Sequence, residues 1–75
     1  MEELIRAIIT PLIDDPDSAH IIREESPNQV TYILSVSKED MGKVIGKNGA
    51  VATAIRTILS AAADDGQAIR FLIRE

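Results

Sequence analysis

The chain has 75 residues and contains neither cysteine nor tryptophan. Without cysteine, disulfide frameworks and thiolate metal sites are excluded. The single histidine, His20, cannot build a histidine-rich metal site. No apolar run approaches the ~20 residues of a membrane-spanning helix, and no basic-then-apolar leader opens the chain. The opening Met1-Glu2-Glu3 suits a cytoplasmic protein, so the expectation is a cytoplasmic chain without membrane contact.

What is present fits one small globular domain, expected over residues 1–75. A hydrophobic fraction of 45% argues against disorder, which needs low hydrophobicity and high charge. A chain this short buries only about 60% of its unfolded surface, so marginal stability and help from a partner are expected.

The net charge is −4 and the isoelectric point about 4.8, which at first argues against a polyanionic partner. The distribution says more than the sum. Residues 1–25 hold seven acids (Glu2, Glu3, Asp14, Asp15, Asp17, Glu24, Glu25) against Arg6 and Arg23, a balance of −5. Residues 41–63 hold no acid but Lys43, Lys47 and Arg56, a balance of +3. A solvated helix face often carries a few such residues, so the asymmetry is informative only with a motif beside it.

Leu4, Ile5, Ile8, Ile9, Leu12 and Ile13 recur at the spacing of one helical face. Pro11 removes a helical N–H and breaks the bond to the carbonyl of Ala7, so the helix should kink or end near Thr10, with a separate short turn after it. Asp14-Asp15-Pro16-Asp17 follows as an acidic loop. Ala19 to Glu25 is a short strand, Ser26-Pro27-Asn28-Gln29 has turn chemistry, and Val30 to Ser37 alternates as the clearest strand. The two strands predict an antiparallel hairpin, with Val30, Tyr32, Leu34 and Val36 on one face. Ser37 with Asp40 three positions on has the form of a capping box. A short helix then runs to about Ile45. A second helix carries Val51, Ile55, Ile58, Leu59 and Ala62 as its stripe and stops at Asp64-Asp65-Gly66. Gln67 to Glu75 alternates as a third strand with Ile69, Phe71 and Ile73 inward. The expectation is α+β, in the order α-β-β-α-α-β, with a small sheet and helices on one face.

Between the two short helices lies Gly46-Lys47-Asn48-Gly49. The two glycines permit a tight turn, Lys47 supplies a mobile charge and Asn48 tolerates a left-handed conformation. Backbone N–H groups at a helix start attract anions. With no side chain at either glycine, a sugar–phosphate backbone is able to approach closely, which fixes position without reading sequence. A lone G-x-x-G is most often a plain turn. Here it stands in Val44-Ile45-Gly46-Lys47-Asn48-Gly49, after a strand and a helix and before a helix whose apolar residues arrive at Val51 and Ile55. That context matches a G-x-x-G loop clamping nucleotide backbone.

On these residues the chain resembles the KH domain, with the V-I-G-x-x-G-x-x-x-x-x-I signature running from Val44 to Ile55. The element order is similar to the type II KH-like arrangement, a three-stranded sheet with helices packed on one face. The acid-rich loop after the first helix and Ala54-Ile55-Arg56-Thr57-Ile58-Leu59 resemble the small bacterial single-KH RNA-binding proteins. The resemblance implies that Gly46, Lys47, Asn48 and Gly49 face single-stranded RNA and that Val44 and Ile45 contribute to the apolar floor of a groove. Lys43 and Arg56 join them on charge and proximity in sequence. It further implies weak sequence preference, an RNA-chaperone or post-transcriptional role linked in some bacteria to cell-envelope growth and cell shape, and a homodimer or a heterodimer with a larger KH-containing protein. The position after the second glycine, commonly basic in such proteins, is Ala50, which removes one phosphate contact.

Other readings fit less well. Gly42-Lys43-Val44-Ile45-Gly46-Lys47 has three residues between its glycines rather than the four of a phosphate-binding P-loop, and Asn48 replaces the hydroxyl that would hold magnesium. A helix-turn-helix DNA reader needs base-reading polar residues where Ala50-Val51-Ala52 stand. His20 has no partners placed for a triad, and the pairs Asp14-Asp15 and Asp64-Asp65 are most simply caps and solvated turns. The chain is therefore expected to be no enzyme, with no cofactor and no metal. Tyr32 and Phe71 sit on core faces, so base stacking is not the mechanism. The competing readings are a protein-interaction module with little nucleic-acid binding, supported by the exposed face of the last strand and the first helix, and a generic single-stranded DNA binder.

Overall fold

The computed structural model describes residues 2–63 and 67–75. Helix α1 spans Glu2–Ile9, with Glu2 and Glu3 in the first turn where they oppose the helix dipole. As Pro11 requires, the α-helix stops at Ile9 and a 3₁₀ turn, Thr10–Leu12, carries the chain on to an extended Ile13. The Thr10 hydroxyl donates to the Arg6 carbonyl at 2.6 Å. A second 3₁₀ turn, Pro16–Ser18, leads into the sheet.

Strands β1 (His20–Ser26) and β2 (Gln29–Ser35) form the expected antiparallel hairpin, closed by Pro27-Asn28 between the pair Ser26 and Gln29. Helices α2 (Lys38–Ile45) and α3 (Ala50–Ala62) follow, then β3 (Ala68–Arg74). β3 lies parallel beside β2, giving the order β1-β2-β3. Parallel neighbours need a long crossover, and the α2–α3 pair supplies it. The expected stop at Asp64-Asp65-Gly66 lies outside the described residues.

Alternation along β2 sends Val30, Tyr32 and Leu34 into the core, and Val36 follows just beyond the strand. They meet Ile5, Ile9 and Ile13 from the first helix and its turn, Val44 from α2, Ile55 and Leu59 from α3, and Phe71 from β3. Tyr32 and Phe71 are both core residues, as their strand positions predicted. The Tyr32 hydroxyl accepts from Arg23 Nε at 3.4 Å.

The α3 stripe is rotated from expectation. Ala52, Ile55 and Leu59 are buried, whereas Ile58 is exposed. Ala52 is buried in place of the larger Ile58, which the apolar pattern alone does not reveal. On the open face of the sheet, Ile22, Ile33 and Leu72 fall in one cross-strand row, and Ile22 and Leu72 are exposed.

The capping box is corrected. Ser37 has N-cap backbone angles, but its hydroxyl caps no helical N–H. The Asp40 carboxylate instead accepts from two backbone N–H groups of the preceding acidic loop, Asp14 N to Oδ1 and Asp15 N to Oδ2, each at 3.0 Å. Asp40 is wholly buried, and these bonds satisfy it. The Asp14 N–H, opposed by desolvation, is the main reason its carboxyl is held below the ordinary carboxylate range; the Asp15 N–H, the Ser37 hydroxyl and the Lys43 charge act in the same direction. The acidic loop is thus more than a solvated turn. Its backbone is fastened to α2, and the Asp15 carboxylate accepts from the Ser18 hydroxyl at 2.7 Å.

Candidate nucleic-acid interface

α2 ends where Gly46 N donates to the Gly42 carbonyl at 2.9 Å. Gly46 then adopts φ 77°, ψ 172°, outside the range open to residues with a side chain. A Cβ here would fall 2.5 Å from Val51 Cγ2 and 2.8 Å from the Val51 backbone nitrogen. Gly46 is therefore required by the fold, because it lets the first turn of α3 close over the end of α2.

The chain next forms a 3₁₀ turn, Lys47–Gly49, with Asn48 left-handed at φ 57°, ψ 27°. Asn48 is the one non-glycine residue with positive φ among the described residues, in keeping with its short polar side chain. Gly49, at φ 76°, ψ 14°, is also left-handed, but a Cβ there would meet nothing within 4 Å. The two glycines share a φ and differ in surroundings: Gly46 faces the protein and Gly49 faces open space.

The turn is closed by Gly49 N donating to the Gly46 carbonyl at 3.2 Å and Ala50 N donating to the Lys47 carbonyl. The N–H groups of Lys47 and Asn48 lie outside these bonds, and both residues are exposed. They stand at the start of the 13-residue α3, where the helix dipole is positive. The turn thus combines donors left out of its own bonding, a mobile cation and an unobstructed glycine, chemistry suited to an oxyanion.

The flanking candidates divide. Val44 is fully buried in the core and exposes no surface of its own, so any part it has in a groove floor is from within the core. Ile45 is 36% exposed beside it. The Lys43 ammonium meets the Asp14 carboxylate and lies 3.6 Å from Asp40 Oδ1. The nearby Asp14 carboxylate raises its pKa.

Arg56, on α3, donates from Nη2 to the Phe71 carbonyl at 3.3 Å. Within β3, Ala68 N and Arg74 O bond to the β2 side, at Asn28 and Val36. Backbone groups alternate sides along a strand, so the Phe71 carbonyl points to the outer edge of the sheet. Arg56 therefore bridges α3 and that edge, while the glycine turn opens the same helix. Lys47, Asn48, Gly49 and Arg56 all belong to the segment that runs from the turn into α3. The sequence reading missed Asp14 and Asp40, because an ion pair joining residues 29 positions apart leaves no local signal.

A β-α-α-β unit whose two helices are joined by Gly-Lys-Asn-Gly, with one further helix and strand before it, is the arrangement of a type II KH-like module. A family model for the KhpA/KhpB KH domain matches residues 2–73, and the chain belongs to that family, which is not a family of enzymes. The RNA-binding protein KhpA of Listeria monocytogenes is 57% identical over 61 residues, covering 81% of this chain and 80% of the relative. The protein of the same name from Bacillus subtilis is 53% identical over 62 residues, covering 83% and 76%. That of Streptococcus pneumoniae is 39% identical over 75 residues, covering 100% and 95%. Among the described residues, no helix is long and apolar enough to cross a membrane.

Proposed function

We propose that this chain, as one KH domain over residues 1–75, binds single-stranded RNA and clamps its backbone with the Gly46-Lys47-Asn48-Gly49 turn. One observation carries the reading. The Lys47 and Asn48 N–H groups take no part in the bonds that close the turn, and an unobstructed Gly49 stands beside them at the positive end of α3. Charge and donors of this kind hold phosphates without reading bases, so sequence preference is weak. Lys47 supplies the mobile cation, Ile45 the exposed apolar neighbour, and Arg56 a second cation toward the edge of β3. The naming of its relatives as RNA-binding proteins supports the same reading.

The role that follows is that of a cytoplasmic RNA chaperone or post-transcriptional regulator. The row Ile22, Ile33 and Leu72 on the open sheet face, with Leu4 and Leu12 exposed at the first helix and its turn, favours a second function of the same chain. These surfaces suit a homodimer or a heterodimer with a larger KH-containing protein. The test uses Lys47→Asp with Asn48→Asp, measuring thermal unfolding and affinity for a single-stranded RNA and for the matched DNA. A folded double variant that no longer binds RNA supports the clamp. Equal RNA and DNA affinity of the parent favours a generic single-strand binder. A parent that captures a protein partner and no RNA favours the interaction module.

A further inference from the structure

Residues 41–63 hold three cations and no acid, yet folding changes the charge around one of them. Asp14, 29 positions upstream, meets the Lys43 ammonium, and Asp40 stands 3.6 Å away. Ordinary surface ion pairs join two flexible side chains and contribute little. Here the acid rides on a fixed backbone. The N–H groups of Asp14 and Asp15 each donate at 3.0 Å to the buried Asp40 carboxylate. The Asp14 side chain projects from that anchor with 83% of its surface exposed, and the Lys43 side chain is 41% exposed. Both charged groups are therefore within reach of a polyanion arriving from solvent.

We propose that Asp14 is a built-in competitor for phosphate: its carboxylate occupies the Lys43 ammonium, and RNA contacts Lys43 only by displacing it. The inference rests on the RNA-binding reading above. Carboxylate and phosphate both accept charge-assisted hydrogen bonds from an ammonium, so they exclude one another at a single cation. The free chain thus offers Lys47 and Arg56 to RNA and withholds Lys43. Grip is weakened while the charge needed for a tighter one is retained.

The test is a fluorescence-anisotropy titration of a labelled, mixed-sequence, single-stranded RNA oligonucleotide over a range of salt concentrations. Parent, Asp14→Asn, Asp14→Glu, Lys43→Gln and the Asp14→Asn/Lys43→Gln double variant are compared, each checked by thermal unfolding. Asp14→Asn keeps the backbone N–H that Asp40 holds; Asp14→Ser does the same and serves as a second neutral variant. Neutralising Asp14 is expected to raise affinity about two- to fivefold, the scale of a surface ion pair. It also steepens the slope of log K against log salt by about 0.7, one more phosphate contact on a single strand. Asp14→Glu should behave as the parent, and Lys43→Gln should abolish the gain in the double variant while changing the parent little. Unchanged affinity and slope in Asp14→Asn, or an equal gain with Lys43→Gln present, overturns the proposal. If RNA binding still depends on Lys47 and Asn48 in that case, the clamp reading stands and only the competitor fails. A parent with no RNA affinity overturns both.

Discussion

The two loops fastened to α2 are built in opposite ways. Near its first turn, the Asp14-Asp15 loop gives its N–H groups to a buried carboxylate and is held as scaffold. At its far end, the Gly46–Gly49 turn leaves the N–H groups of Lys47 and Asn48 outside its own bonding, beside a glycine that faces open space. Both loops are polar and short. What separates them is where their donors go: a loop whose donors are consumed stabilises the fold, and one whose donors are left unbonded has them free for another acceptor. The same division runs through the turn itself, between Gly46 and Gly49.

The largest effect expected from breaking this contrast is at Gly46. Gly46→Ala combines a positive φ with contacts to Val51 below 3 Å, and should lower stability by roughly 2–5 kcal/mol in urea denaturation. Gly49→Ala has the same backbone strain and no clash, so about 1–2 kcal/mol is expected. In the folded protein its methyl group stands on the ligand side, and RNA affinity should fall further than the small stability loss explains.

Asp40→Asn sharpens the other half of the comparison. The variant weakens the anchor of residues 14 and 15, and its urea midpoint should fall. An unfolded aspartate titrates near about pH 3.9, and the folded Asp40 lies lower. Its contribution is therefore present above the unfolded value and lost as pH falls through the folded one. The parent should lose stability as the pH drops below about 4, and Asp40→Asn should lose less over that window. The smallest effect is at Ala50. Ala50→Lys adds a cation at the start of α3, and should steepen the salt dependence of RNA binding by about 0.7 with only a modest gain in affinity.

Local signals were the ones legible in the sequence. Pro11 told where α1 must stop, alternation told which face of β2 is core, and two glycines around Lys47-Asn48 told where the chain must turn. Periodicity placed Tyr32 and Phe71 inside. The parallel pairing of β3 with β2 was not legible, because no residue pattern distinguishes strand directions across a helical crossover. Val44 and Ile45 are adjacent and similarly apolar, yet one is core and the other is surface; only the orientation of α2 against the sheet decides between them. Ser37 and Asp40 have capping-box spacing, but a loop more than twenty residues upstream captured the acid. The same long-range contact drew Asp14 onto Lys43 and altered the charge that composition assigned to the basic window.

The central claim is that Lys47 and Asn48 of the open turn hold RNA while their side chains contribute little to the fold. Lys47→Asp with Asn48→Asp tests it most directly, since both side chains are exposed and neither is buried in the core. Thermal unfolding of the double variant should match the parent, and its affinity for single-stranded RNA should fall by about tenfold or more as a phosphate contact becomes a repulsion. A folded double variant that binds RNA as tightly as the parent would contradict the account.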